Sequence, residues 1–168
     1  MKFDPYYISL LRECGVSEIV VMHCIAVADY VDEVATKMLE MGEEIDIELA
    51  VNGALLHDIG RSHSHDVTHG IEGAKIVRQL GLDEAFARIC ERHIGAGIPD
   101  DEAKALGFPP GCYIPVTKEE KLIANCDNLI SGVERVGISE VLDKFRKRLG
   151  EHTLDRVERL YKEFEGFM

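Results

Sequence analysis

The chain has no apolar run long enough to span a membrane and no pair of cysteines at Cys-x-x-Cys spacing. Its cations are outnumbered, 19 Lys and Arg against 31 Asp and Glu, for a formal net charge of −12. Proline is scarce, with four of the five confined to Gly95–Thr117. Each shortage excludes something. The N-terminal stretch carries an early Asp4-Pro5 where a signal peptide would have its apolar centre, so a cytoplasmic protein with no membrane partner is expected. Cys14, Cys24, Cys90, Cys112 and Cys126 are odd in number and widely spaced. They read as reduced packing thiols rather than a disulfide framework or a zinc ribbon. The acidic balance disfavours non-specific binding to nucleic acid or anionic lipid, which requires clustered Lys and Arg. A small anionic substrate stays open, because a bound cation can overrule the global sign locally. With 168 residues, 46% apolar and 30% charged, and with no repeat, low-complexity segment or linker, the chain fits one globular domain with its own core.

What is present reads as helix almost throughout, about seven in all. Asp4-Pro5 starts the first helix and Gly15 stops it. Ser17 caps a long second helix that ends at Gly42. A third runs from about Asp46 to Ile59, with Gly60 as terminator. Further helices are expected over Gly70–Leu80 and from Asp83 to just before Gly95. The Gly- and Pro-rich stretch Gly95–Thr117 reads as a long loop, with a short helix over Asp100–Leu106, and loops of this length are usually lids or binding loops. Thr117-Lys118-Glu119-Glu120 is a capping box opening the next helix. Amphipathic helices over Ser139–Leu149 and Thr153–Phe164 end the chain. No segment makes a convincing strand.

Four of seven histidines fall in "GALLHDIGRSHSHDVTHG", residues 53–70. His57-Asp58 arrives at the end of an apolar run, where a helix would be burying its core face. His23 sits mid-helix in "IVVMHCIAVADY", Asp127 in "KLIANCDNLI", His69 opens one helix and His93 closes another. Unpaired polar groups in apolar surroundings are costly, and several become tolerable together when they share a cation. Imidazole and carboxylate donors suit zinc, iron, manganese, cobalt or nickel better than calcium or magnesium. Cys24 and Cys126, each next to one of these residues, are expected to pack behind them. His63 reads as part of a solvated loop, and His152 as structural or solvent-facing. Tyr6, Tyr7, Phe145, Tyr161 and Phe164 have ordinary packing spacing, and "KFRKRLG" reads as a mixed-charge solvated face.

The order His23, His57-Asp58, Asp127, with "HDIG" as the continuation, resembles the HD-domain superfamily of metal-dependent phosphohydrolases, over about Ser17–Ser131. "HCIAVADY", "GALLHDIGRS" and "ERHIGAGI" look most like a small archaeal branch, similar to domains appended to tRNA ribose methyltransferases. The resemblance implies an all-α, single-domain helical bundle over residues 1–168, with a core at 17–131 and C-terminal helices over 132–168. It implies that His23, His57, Asp58 and Asp127 bind one metal ion and that His69 and His93 add a second, bridged by Asp58. It further implies a hydrolysis in which Asp58 and Arg61 serve catalysis. Arg61 would also contact the phosphate of a small, nucleotide-like substrate; His65 reads, like His63, as part of the solvated loop, with a substrate contact towards the leaving group as the alternative. Two such ions ~3.5–4 Å apart acidify a shared water and clamp both oxygens of an in-line displacement. Two alternatives remain open: a mixed-valent di-iron oxygenase with the same ligand order, and a non-catalytic interaction module. An RNA contact through Arg146, Lys147 and Arg148 follows only from the methyltransferase resemblance.

Overall fold

The computed structural model describes residues 3–147 and 151–168. Its described helices are α1 (Pro5–Glu13), α2 (Glu18–Glu40), α3 (Ile47–Leu56), α4 (His69–Gln79), α5 (Glu84–Arg92), α6 (Asp100–Ala105), α7 (Lys118–Asn128), α8 (Ile138–Arg146) and α9 (Glu151–Phe164). The all-α expectation holds, and the described residues form nine helices rather than about seven.

The long α2 presents a stripe of Val21, Cys24, Val27, Ala28, Val31, Val34, Ala35 and Met38, all buried, at the three-and-four spacing that keeps one helical face on the core. It packs along α3, which is buried on every side from Ala50 to Leu56. Each fully buried Leu or Val here contributes about 1.5–3 kcal/mol by leaving water. α1, α5 and α7 complete the surround of α3, α4 packs on α5, and α9 closes the bundle against α7. Asp46 and Asp83 cap α3 and α5 through their carboxylates. The capping box at Thr117 is present in both directions, Thr117 with the Glu120 backbone N–H and Glu120 with the backbone of Thr117. Glu120 is buried and also accepts from Arg92 at 2.9 and 3.0 Å, so its charge is paired as well as hydrogen-bonded.

Several expectations are corrected. α3 ends at Leu56, with His57 as its C-cap, and a 3₁₀ turn follows over Ile59–Ser62. Gly60 lies inside that turn and terminates nothing. A Cβ there would sit 1.9 Å from the His69 carbonyl oxygen and 2.4 Å from the Gly73 nitrogen, so the glycine permits backbones to touch. Ser17 occupies the N-cap position of α2, but its side chain makes no capping hydrogen bond. Two short strands, β1 (Ile130–Ser131) and β2 (Glu134–Arg135), pair antiparallel where none was expected. Gly132, at φ +63°, takes the first central position of their two-residue turn. The stretch from Gly95 to Thr117 does not form a lid. Ile98, Ala103 and Tyr113 bury a small cluster of their own with Val67, Ile71, Ile94 and Phe108. The expected end of the α8 helix at Leu149 falls outside the described residues. No helix among the described residues is long and apolar enough to cross a membrane.

Candidate metal centre

α2 contributes His23, the C-terminal end of α3 contributes His57 and Asp58, α4 begins with His69, α5 is capped by His93, and Asp127 lies in the last turn of α7. The fold brings all six together. His23 Nε2 lies 2.9 Å from Asp127 Oδ1, and His57 Nε2 lies 3.4 Å from the same oxygen. His57 Nε2 is 3.7 Å from Asp58 Oδ2, while Asp58 Oδ1 meets His69 Nε2 at 3.0 Å and His93 Nε2 at 3.5 Å. His69 and His93 bring their Nε2 atoms within 3.2 Å of each other.

The other ring nitrogens decide what these distances mean. His57 Nδ1 reaches the Ala54 carbonyl oxygen at 2.6 Å, His69 Nδ1 that of Asp66 at 2.6 Å, and His93 Nδ1 that of Cys90 at 2.9 Å. His23 Nδ1 reaches the Gly132 carbonyl oxygen at 2.8 Å. A carbonyl only accepts, so each Nδ1 donates its proton and each neutral ring presents a bare Nε2 to its neighbours. The close Nε2–carboxylate and Nε2–Nε2 pairs are then acceptor against acceptor. With these rings neutral, buried His57 Nε2 and Asp58 Oδ1 are left without a hydrogen-bond partner, and only protonation of the imidazoles would turn the close pairs into hydrogen bonds. Such a cluster is satisfied by added cations, as protons or as metal ions. Three overlapping triads have donor atoms within 4.8 Å of one another: His23, His57 and Asp58; His57, His93 and Asp127; Asp58, His69 and His93. Neutral imidazole nitrogens and carboxylate oxygens, their backs hydrogen-bonded to the main chain, fit divalent transition ions.

Without a metal the electrostatics lean on protons. Burial opposes ionisation of Asp58, yet charge on His57 and hydrogen bonds from His69 and His93 hold its carboxyl well below the usual range. Asp127 is likewise depressed: burial opposes, and His57, with hydrogen bonds from His23 and His57, prevails. Burial works to lower the His57 imidazolium, but Asp58, Cys24 and Asp127 lift it well above the ordinary histidine value. His93 is pushed down, by burial first and by the charge of His57 next.

The remaining candidates separate. Arg61 reaches the site, with its Nε donating to Asp58 Oδ2 at 2.6 Å and its side chain 30% exposed. His65 is exposed and lines the rim. His63 bonds to Ser62 and stays in its loop, and His152 is exposed. Cys24 and Cys126 are fully buried in the core behind the ligand face. The centre opens into a cleft of about 470 Å³. Sequence reasoning missed much of its wall. Gly95 alone of the Gly95–Thr117 loop lines it, whereas β1 and α8 supply Ile130, Glu140, Val141, Lys144 and Phe145. Phe145, expected only to pack, does both. Arg146 pairs with Asp143 at 2.8 Å, Lys147 is exposed, and Arg148 lies outside the described residues.

Comparison with known proteins follows the same outline. The HD domain family profile matches residues 20–131. An uncharacterized protein of Methanocaldococcus jannaschii, MJ0778, is 51% identical, over 90% of this chain and 89% of its own length. The tRNA (cytidine(56)-2'-O)-methyltransferase of Thermoplasma volcanium is 39% identical over 92% of this chain, which spans only 44% of that protein. Among solved structures, the HD domain of L. monocytogenes phosphodiesterase PgpH, in complex with cyclic-di-AMP, superposes with a TM-score of 0.56 at 17% identity. The alignment covers 94% of this chain and 96% of that one, a likeness of fold.

Proposed function

This chain belongs to the HD domain family, and from that premise we propose that it is a metal-dependent phosphohydrolase or phosphodiesterase acting on a nucleotide or related phosphate ester. One observation carries the reading: four imidazoles whose Nδ1 protons are committed to backbone carbonyls turn bare Nε2 atoms towards two ionised carboxylates. His23, His57, Asp58 and Asp127 hold one divalent transition ion, from among Fe, Mn, Co, Ni and Zn. His69 and His93, together with Asp58, would hold a second. Bound there, such ions supply an acidified water and positive charge for phosphoryl oxygens.

The chain's own groups set the rest. Asp58 is fixed by Arg61, which spends its Nε on that carboxylate and keeps its terminal N–H groups for a phosphate oxygen. His65, at the rim, contacts the leaving side of the substrate. The excess of imidazole over carboxylate makes the loaded site net positive on an acidic protein, and so draws a small phosphate locally. The nucleotide bound by the PgpH domain and the RNA substrate named for the methyltransferase relative both support a nucleotidyl substrate. A cytoplasmic setting suits either.

Metal analysis of protein purified without chelator tests the reading, with nearer two than one transition ion expected per chain. Nucleoside mono-, di- and cyclic phosphates, dinucleoside polyphosphates and short RNA, each with Mn, Fe, Co or Ni, test the chemistry. Release of phosphate or a cleaved diester is expected. An iron-specific EPR signal with oxygen uptake and no phosphoester turnover would transfer the site to the di-iron oxygenases, and an inert, metal-free protein would make it a binding module.

A further inference from the structure

The metal cluster accounts for only part of the cleft. The remaining lining includes Ile19 and Val20 from α2, Ile130 from β1, and Val141 and Phe145 from α8. Ile19 is 82% exposed, an apolar side chain standing in water at the cleft rim. Phe145 is the only Phe, Tyr or Trp among the lining residues, and it is half-buried. A polar centre joined to an apolar wall with one aromatic ring suits a ligand that is charged at one end and flat and apolar at the other.

Polar groups on the same helix narrow the choice. Lys144 is exposed, lines the cleft and has no ion-pair partner among the described residues. Arg61, the other lining cation of the Lys and Arg type, already serves Asp58. Glu140, one turn before Lys144, also lines the cleft. A bare polyphosphate would be repelled by that carboxylate. A molecule carrying ribose hydroxyls or a base amino group would donate to it, while its anionic oxygens took Lys144. The α8 part of this wall, Glu140, Val141, Lys144 and Phe145, lies beyond residues 20–131, the span matched by the family.

We infer that α8 is the specificity element of the cleft: Phe145 receives the planar base of a nucleotide, and Lys144 an anionic oxygen of the same molecule. The preferred substrates are therefore nucleoside phosphates rather than phosphate esters without a base. This inference rests on the phosphoester reading above, and its test separates the two. The probes are the non-hydrolysable methylenephosphonate analogues of adenosine monophosphate and of ribose 5-phosphate, which carry adenine and a hydroxyl respectively at the anomeric carbon, titrated calorimetrically into metal-loaded protein. The nucleoside analogue is expected to bind roughly tenfold tighter, the scale of one base stacked on an aromatic ring.

Phe145→Leu keeps apolar volume against the core and removes the aromatic face, so the ratio should fall towards one with metal content unchanged. Lys144→Ala should weaken both probes severalfold and flatten their dependence on salt. Equal affinities in the unaltered protein, a ratio that survives Phe145→Leu, or indifference to Lys144→Ala would each overturn the inference while leaving the phosphoester reading intact. Failure of both probes to bind would also overturn the inference, whereas the phosphoester reading falls only if none of the phosphate esters named above is turned over.

Discussion

The two sides of the centre are held by different means. Around Asp58, the side chains of His57, His69 and His93 are at most 5% exposed, and each ring is fixed by a carbonyl three residues earlier in its own segment. Around Asp127, the side chains of His23 and Asp127 are 17% and 20% exposed. The His23 ring is fixed by Gly132, 109 residues away. On the inner side each ring orientation is therefore set by its own local turn, and the rings meet when α3, α4 and α5 pack together. The outer side exists only when the hairpin has docked on α2, where Arg135 stacks 4.0 Å from the Tyr30 ring centroid and pairs with Glu33 at 2.7 Å. The orientation of the rings is set locally on one side and by a tertiary contact on the other.

That contrast can be broken from several directions. Asp58→Ala should have the largest effect, since Asp58 meets His57, His69 and His93 and also lies in a triad with His23 of the outer side. Turnover is expected to fall by roughly a thousandfold or more, with both ions lost and helix content retained. Phosphoester kinetics with elemental analysis and circular dichroism reads this, and full activity would contradict the assignment.

Two glycines then separate the sides. Gly60→Ala drives a methyl group into the backbone of α4 beneath His69, so it should cost about 3 kcal/mol of stability by overpacking. The cost is read as a lower denaturation midpoint. Gly132→Ala meets no atom within 4 Å and carries only the penalty of a positive φ, about 1 kcal/mol. It should act through the seat of His23, weakening one ion about tenfold and leaving the other in place. Equal loss of both ions would erase the distinction between the sides.

The smallest effect is chemical. Burial pushes the Cys90 thiol up to about 12 and raises those of Cys24 and Cys126. Only exposed Cys112 and half-buried Cys14 should react with a thiol reagent in the native protein, and all five should react on unfolding. Early reaction of Cys90 would show that the inner side opens more readily than its packing implies.

The same division describes what the sequence made legible. His23, His57, Asp58 and Asp127 were readable because a polar group set in or beside an apolar run needs a partner, whereas His69 and His93, at helix ends, were marked by the family resemblance. The helices that carry them were readable from spacing and caps. Gly60 misled because a glycine after an apolar run looks alike whether it ends a helix or admits a neighbouring backbone. The hairpin was too short for alternation to register, although Ser131-Gly132-Val133-Glu134 holds its turn glycine. The amphipathic pattern of α8 told that one face is covered, but not that its neighbouring face borders the cleft. The Gly95–Thr117 loop had the composition of a lid, and its apolar residues instead found one another.

The convergence of six donors on shared cations is tested most directly by anomalous diffraction from crystals of manganese- or cobalt-loaded protein. Two peaks are predicted, one bounded by His23, His57 and Asp127, the other by His69 and His93, with Asp58 reaching both. Crystals that bind the metal elsewhere and show no peak within coordination reach of these six side chains would contradict it.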